Sequence, residues 1–410
     1  MTYRDTEQVP EAIRVLLLEQ IHPDADALLR EAGYPVESGS RALDEDDLIA
    51  ALPGVHLLGI RSKTQVTARV LEAATDLEAI GAFCIGTNQI DLAAAARRGI
   101  AVFNAPFSNT RSVVELALAE IIALTRHLTD KNTLMHAGVW DKSAEGAHEV
   151  RGRALGIVGY GNIGTQLSVL AENLGMNVIY YDVIDRLSLS NARRCESLHE
   201  LLTQADVVSL HVDGRNDNAN LFGAAEFDAM KAGSLFLNLS RGFVVDYASL
   251  RLHIESGHIA GAAIDVFPDE PSGRGDEFVS EVRGLPNVIL TPHIAGSTEE
   301  AQQDIGQFVA TKLRDFLVDG STAMSVNMPR ITLRQNPGTH RMVLVHSNVP
   351  GVLARVNGIF AAHDANVEAQ LLATSGEIGY VVTDIATAYS TEMVAQLGAL
   401  PETVRLRLLS

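Results

Sequence analysis

Apolar residues in this chain fall into short unbroken runs, and between the runs they recur every three or four positions. IRVLLLE (residues 13–19) is such a run and predicts a buried strand. HPDADALLREAG (22–33) has helical spacing and closes on Gly33, a helix C-cap. HLLGIRS (56–62) predicts a strand that ends in polar and basic residues. ATDLEAIGAFCIG (74–86) predicts a helix and another strand, and IDLAAAARRGIAVFNAP (90–106) repeats that pattern. Strands that alternate with helices imply a parallel sheet covered on both faces. The chain up to about residue 105 is therefore one α/β unit, and it contains no phosphate-binding glycine turn.

TRSVVELALAEIIALT (110–125) predicts a long helix leaving this unit, with Ser112 and Glu115 at capping-box spacing. After a polar stretch the alternation starts afresh. A strand at 154–158 leads through GYGNIG into a helix that runs to about residue 174. Further strands follow in NVIYYD, DVVSLHV, SLFLNLS, IAGAAIDVF and NVILTPHIAG. The helical stretch STEEAQQDIGQFVATKLRDFLVDG (297–320) then returns the chain to the first unit. This order predicts a cofactor domain (109–297) inserted into a substrate domain (1–108 and 298–330), with the active site in the cleft between them. A polar, proline-bearing segment, 328–339, reads as a linker. Beyond it RMVLVHS, VLARVNGIFAAHD, NVEAQLLATSG and IGYVVTDIATA give a βαββ beginning. A helix at 391–398 and a strand at 403–409 complete a small α+β domain over 338–410.

Composition narrows the function classes. Of 410 residues, 47% are hydrophobic and 20% charged, as in ordinary globular proteins, and the formal net charge is −19. That charge argues against nucleic-acid and anionic-membrane partners. An anionic substrate then needs a local cation cluster. The two cysteines, Cys84 and Cys195, have no metal or redox spacing, so a reduced, cytoplasmic setting is expected. No signal peptide or membrane span is expected either.

The glycine turn Gly159-Tyr160-Gly161-Asn162-Ile163-Gly164 lies between a strand and a helix, and Asp182 closes the next strand. In that setting Gly159 permits the turn, Gly161 lets backbone approach a pyrophosphate, and Gly164 lets the helix pack on the sheet. Amides at the helix start receive the phosphates, and Asp182 accepts from the adenosine ribose, which favours NAD over NADP. Arg241 in NLSRG, Glu270 in DVFPDEP and His293 in LTPHIAGS each follow a strand. Strand carboxyl ends are where open α/β sheets bind ligands. An arginine there can grip a carboxylate, and a histidine paired with a carboxylate suits proton transfer near neutral pH. Arg61, Ser62 and Lys63 in GIRSKT, with Asn109 in NAPFSNTRS, are candidates for an anionic substrate tail; Trp140 and Lys142 in GVWDKS are candidates for a cleft cap. In VHSNVPG the chain turns from strand to helix at Pro350-Gly351 and exposes backbone amides to a carboxylate. His346 and Asn348 stand beside that turn. Asn366 can face it from a second chain if two such domains pair edge to edge.

Taken together, GIVGYGNIG, NLSRGFVVD, IDVFPDEP and TPHIAGSTEEAQ resemble the D-isomer-specific 2-hydroxyacid dehydrogenases, and the tail resembles an ACT regulatory domain. The resemblance implies a Rossmann-type doubly wound parallel sheet inserted in a flavodoxin-like α/β substrate domain, plus a ferredoxin-like α+β tail. By the same resemblance Arg241 orients the substrate, Glu270 supports His293, and His293 accepts the C2 hydroxyl proton. Asp265 contacts the nicotinamide amide. His211, Leu239, Ser240, Ala295 and Gly296 join Asn162 and Ile163 in lining the cofactor, NAD. Leu239 replaces a residue that is commonly small in the family, which touches cofactor packing. Arg61, Ser62, Lys63 and Asn109 lie near the substrate, and Trp140 and Lys142 reach a neighbouring subunit's cleft. No metal is required, because Arg241 and His293 polarise the substrate.

With its tail, the resemblance implies NAD-dependent oxidation of D-3-phosphoglycerate to 3-phosphohydroxypyruvate, the first step of L-serine biosynthesis. It also implies inhibition by L-serine through His346, Asn348, Gly351 and Asn366, a homotetramer, and reduction of 2-oxoglutarate as a side activity. Two alternatives stay open: another 2-hydroxyacid dehydrogenase, such as a glyoxylate or hydroxypyruvate reductase, and an NAD-sensing corepressor.

Overall fold

The computed structural model describes residues 13–271, 275–334 and 336–409. Most of the opening stretch read as free of a leader, residues 1–12, lies outside them. Among the described residues no helix is long and apolar enough to cross a membrane. The chain divides into two compact units, residues 1–108 with 302–410, and residues 109–301.

The first unit holds two sheets. Strands β1 (Arg14–Leu17), β2 (Val36–Ser38), β3 (Val55–Ile60), β4 (Ala79–Ala82) and β5 (Ala101–Asn104) are all parallel and stand in the order β2-β1-β3-β4-β5. That is the doubly wound, flavodoxin-like order. Every residue of β3, β4 and β5 is buried, as expected for strands covered on both faces. The first helix, Pro23–Glu31, ends as read: Gly33 takes φ 89°, and Tyr34 N–H reaches back to the Leu29 carbonyl. One local expectation fails here. The stretch 74–86 contains no helix; that helix lies earlier, at Ala68–Ala73, capped by Thr67. The reason is that the Thr67 side chain accepts from Val70 N–H and so starts the helix upstream of the alanine run.

The second unit begins at Asn109, the N-cap of the helix Thr110–Thr125. The Ser112–Glu115 capping box is not formed. Both residues lie inside the helix: Ser112 Oγ meets Thr298 Oγ1 at 2.8 Å, and Glu115 pairs with Arg111 at 2.5 Å. A short helix, Leu128–His136, escaped the sequence reading because it buries no residue and so has no apolar period. Strands β6 (Ala154–Val158), β7 (Asn177–Tyr181), β8 (Arg193–Arg194), β9 (Val207–Leu210), β10 (Ser234–Asn238), β11 (Ile259–Ile264) and β12 (Val288–Leu290) form one parallel sheet. Its order is β12-β11-β10-β9-β6-β7-β8. Reversal of direction at β6/β9 is the Rossmann switch point, where ligands bind beyond the strand ends.

The tail forms the third sheet, antiparallel, from β13 (His340–Ser347), β14 (Val367–Ser375), β15 (Ile378–Ile385) and β16 (Thr403–Leu409), ordered β14-β15-β13-β16. With helices Val352–Ala362 and Thr391–Gly398 this is a βαββαβ unit. It is not a loosely tethered module. Val343, Val345, Tyr380, Val382 and Leu409 share one hydrophobic core with Val309, Leu313 and Phe316 of the helix Glu299–Asp319 and with residues of the first sheet. The described residues of the segment read as a linker have no regular structure, yet Met328 and Ile331 are buried in that core.

A fully buried ion pair locks the tail in place. Arg341 on β13 donates from Nε and Nη2 to both oxygens of Asp384 on β15, each at 2.7 Å, and both side chains are 0% exposed. Its Nη1 donates to the carbonyls of Asp319 and Leu333, at 2.9 and 2.6 Å. Removing one partner strands the other charge in apolar surroundings. Asp384→Ala should therefore cost about 3–5 kcal/mol, and Arg341→Met with Asp384→Leu should recover most of that loss. Urea-denaturation midpoints of the two variants check this. An Asp384→Ala protein as stable as wild type would exclude it.

Candidate active site

The site is built at the carboxyl ends of the strands of the second unit. After β6 the chain makes the glycine turn. Gly159 has φ 92°, and a Cβ there would lie 2.6 Å from the His211 carbonyl oxygen. A Cβ on Gly164 would lie 2.3 Å from the Gly159 carbonyl oxygen, so the helix Asn162–Asn173 sits directly on the turn. Gly161, its N-cap, has no neighbour within 4 Å of a Cβ. The helix start thus opens onto free space with unpaired amides of Asn162 and Ile163, which is what a pyrophosphate requires. Asp182 follows β7. Its Oδ2 accepts Tyr160 N–H at 2.8 Å and its Oδ1 accepts Ile184 N–H at 2.8 Å, tying the turn to the next strand. His211 follows β9; its Nε2 meets Ser209 Oγ at 2.9 Å, and burial pushes its pKa down to about 4, so it is neutral near pH 7.

The turn after β10 is folded by Asn238. Its Oδ1 accepts from Ser240 N–H at 3.1 Å and Ser240 Oγ at 2.8 Å, and its Nδ2 donates to the Arg241 carbonyl at 3.0 Å. Asn238 was not singled out in the sequence; its place at the end of an apolar strand was the available signal. Leu239 is buried behind this turn.

His293 sits in a loop organised by Asp265. The buried Asp265 carboxylate accepts Thr291 Oγ1 at 2.6 Å, Ile294 N–H at 2.8 Å and Ala295 N–H at 2.9 Å. Its own carbonyl accepts His293 N–H at 2.8 Å. One acceptor site remains on a carboxylate so loaded. The loop holds His293 at φ 55°, a left-handed conformation that non-glycine residues rarely adopt. His293 Nδ1 and Glu270 Oε2 are 2.8 Å apart, and Glu270 Oε1 accepts Phe267 N–H at 3.1 Å. Facing a carboxylate, Nδ1 carries the proton, so Nε2 is the free basic position. The hydrogen bond to Glu270, opposed by burial and helped by that carboxylate's charge, raises the His293 pKa. Burial works to raise the pKa of Glu270, but His293 and the Phe267 amide hold it below the usual range. The pair is therefore a carboxylate supporting an imidazole that gains a proton readily. Asn109 lies against the same loop, where a Cβ on Gly296 would meet Asn109 Nδ2 at 2.1 Å.

Other candidates stand apart. Trp140 is 77% exposed and Lys142 is exposed, and neither makes a side-chain hydrogen bond among the described residues. Arg61, Ser62 and Lys63 belong to the first unit and follow β3; Ser62 and Lys63 are exposed and Arg61 partly so. In the tail, His346 is buried and has Nδ1 on the Ser347 carbonyl at 2.8 Å, leaving Nε2 buried without a partner. Asn348 Nδ2 donates to the Gly376 carbonyl at 3.0 Å, and Gly351 caps the next helix at φ 90°. Asn366 precedes β14 and pairs with Ala386, whereas His346 pairs with Gly379. The register puts Asn366 and His346 at opposite ends of the sheet, about 20 Å apart at the rise of a strand. One chain therefore does not bring the effector candidates together. Among the described residues no cluster of three His, Cys, Asp or Glu side chains could hold a metal.

Comparison with known proteins agrees with this architecture. Residues 118–295 match the D-isomer specific 2-hydroxyacid dehydrogenase NAD binding domain, and residues 342–405 match the AHAS small subunit-like ACT domain. The chain is 48% identical over 398 residues to the D-3-phosphoglycerate dehydrogenase of Haemophilus influenzae, covering 97% of each chain. It is 49% identical over 402 residues to the enzyme of that name in Escherichia coli K12, covering 97% of this chain and 98% of the other. Among solved structures, the D-lactate dehydrogenase of Aquifex aeolicus complexed with NAD and lactic acid superposes with a TM-score of 0.65. It is 26% identical and covers 74% of this chain and 95% of the other.

Behind the His293 loop lies Glu120, on the helix Thr110–Thr125. It is 3% exposed, and neither carboxyl oxygen has a hydrogen-bond partner among the described residues. Burial, reinforced by the charge of Asp265, pushes its pKa up to about 8. The folded protein keeps this proton from about pH 4.5 to 8 while the unfolded chain has lost it. Stability therefore falls with rising pH across that window, by at most about 1.4 kcal/mol per pH unit. Glu120→Gln removes that slope, so its stability advantage over wild type should widen from pH 5 to 8. Urea midpoints measured at pH 5, 6.5 and 8 test this; parallel profiles would refute it.

Proposed function

Because the chain belongs to the D-3-phosphoglycerate dehydrogenase family of D-isomer specific 2-hydroxyacid dehydrogenases, we propose that it oxidises D-3-phosphoglycerate to 3-phosphohydroxypyruvate with NAD, the opening step of L-serine synthesis. The observation that carries this reading is the Glu270–His293 pair, at 2.8 Å on a Rossmann sheet.

NAD fits the residues present. Gly161 to Gly164 offer open backbone amides to its pyrophosphate, and Asp182 offers a carboxylate to its ribose. His211, Leu239, Ser240, Asp265, Ala295 and Gly296 line the remainder. Bound NAD supplies the hydride acceptor. In the oxidation, His293 Nε2 removes the C2 hydroxyl proton, and Glu270 stabilises the imidazolium that results. Arg241 grips the substrate carboxylate and stabilises charge on the C2 oxygen. Arg61, Ser62 and Lys63 read the phosphate, with Asn109 beside the loop of His293. Trp140 and Lys142 serve a neighbouring subunit.

The ACT domain supports binding of a small-molecule effector. The proposed effector is L-serine, held by His346, Asn348 and the Gly351 turn of one chain and by Asn366 of another. Pairing of two exposed β14 edges would bring these groups together and build a homo-oligomer, a tetramer in our reading, in the cytoplasm. Serine must bind the less active arrangement more tightly in order to inhibit.

Steady-state rates on a panel of 2-hydroxy and 2-oxo acids, 2-oxoglutarate included, test the substrate assignment. His293→Ala should lower turnover by about 100-fold or more, with NAD binding retained by calorimetry. Oxidation needs neutral His293, so kcat/KM falls as pH drops through its raised pKa. Glu270→Gln withdraws the support and should move that acid limb to lower pH. An unmoved limb, or near-normal turnover in His293→Ala, would overturn these roles.

Serine control calls for point variants, since the tail shares its core with the rest of its unit. Asn366→Ala should weaken serine inhibition by about tenfold, one lost hydrogen bond's worth, with kcat unchanged. If millimolar serine neither inhibits wild type nor binds it, the effector assignment fails.

A further inference from the structure

The loop that carries Arg61, Ser62 and Lys63 is folded around a buried carboxylate. Glu19 lies two residues beyond β1 and is 8% exposed. Its Oε1 accepts the backbone N–H groups of Arg61 at 3.2 Å and Thr64 at 2.9 Å, and its Oε2 accepts that of Lys63 at 3.0 Å. Amides that converge in this way form a concave nest for an anion. In this chain the anion is part of the protein. From the other side, Gln89 Nε2 donates to the Arg61 carbonyl at 2.6 Å. Both polar groups of the Arg61 backbone are thereby fixed.

The backbone that delivers Glu19 is itself unusual. Glu19 and Gln20 take φ 63° and 53°, two successive non-glycine residues in the left-handed region. Such strain persists only where the surroundings over-determine it. The three amides held by the carboxylate, two hydrogen bonds at one oxygen and one at the other, supply that determination. Thr64 is fully buried while Ser62 and Lys63 are exposed, so the clamp grips the root of the loop and leaves its side chains outward.

We infer that Glu19 is a positioning residue for substrate binding: it fills the amide nest of the 61–64 loop, so that the substrate phosphate is read by the side chains of Arg61, Ser62 and Lys63 rather than by backbone. This rests on the reading that these side chains bind the phosphate. A glutamine in its place keeps one acceptor oxygen but turns an N–H toward the Lys63 amide, which loosens the loop. An aspartate keeps the charge but falls one methylene short.

Kinetics of Glu19→Gln, Glu19→Asp, Arg61→Ala and the Glu19→Gln/Arg61→Ala double variant test the inference. Glu19→Gln should raise the KM for 3-phosphoglycerate about tenfold, the scale of a lost charge-assisted hydrogen bond. The KM for NAD and kcat should stay within about twofold, a split that general loss of folding does not produce. Glu19→Asp should show the same split at about threefold, and it carries the test if the glutamine variant does not fold. The double variant should lose clearly less than the product of the two single losses, because both changes act through one loop. An unchanged or lowered KM in both Glu19 variants, or additive losses in the double variant, overturns the proposal. If Arg61→Ala itself leaves the KM unchanged, it is the phosphate assignment that fails.

Discussion

The hydrogen bonds of Asp265 are the constraint on which the catalytic arrangement depends. A single buried carboxylate at the end of β11 takes up Thr291, Ile294 and Ala295, and the backbone of the same residue takes up His293. Without those four bonds the chain after β12 has no reason to hold His293 at φ 55°. With them, the imidazole is delivered to Glu270. An acid–base group is useful only within hydrogen-bond reach of the proton it moves. The geometry of the loop therefore precedes the chemistry of its histidine.

The same device appears in the other unit. Glu19 organises the loop after β3 as Asp265 organises the loop after β12. Each carboxylate is buried, each accepts backbone amides on both oxygens (Asp265 takes the Thr291 hydroxyl as well), and each acts beside a left-handed non-glycine residue. Buried carboxylates are costly unless their acceptors are satisfied. Satisfying them with amides of one short loop turns that cost into a fixed loop shape. A chain of net charge −19 can in this way use buried acidic residues to shape its loops.

The C-terminal sheet follows a different logic. Its attachment relies on apolar burial shared with the helix Glu299–Asp319 and on the dry Arg341–Asp384 pair. An effector bound on this sheet would act through a rigid junction rather than a flexible tether. That suits control in which binding biases one of two discrete arrangements.

Much of the molecule was legible in the sequence. Runs such as IRVLLLE and SLFLNLS gave strands because a strand buried on both faces must be apolar throughout. The glycine turn was legible because two of its glycines answer a steric demand that no other residue meets: a Cβ on Gly159 or Gly164 would strike backbone, while Gly161 leaves the helix start open. Arg241, Glu270 and His293 were legible as strand-end residues together with the family resemblance, although the spacing alone proved nothing. The helix Leu128–His136 was not legible, because it buries no face. The capping box at Ser112 was misread, because a local pattern competes with a tertiary bond to Thr298. The sequence by itself determined the alternation of strands and helices, the cofactor turn and the residue types of the site. Tertiary structure alone decided that Glu19 holds a loop 42 residues away, that Asp265 shapes the loop of His293, and that the tail shares a core with the first sheet. The physical reason is range: periodicity and turn chemistry act between near neighbours in the chain, whereas a buried carboxylate chooses its partners only after the sheet has brought distant strand ends together.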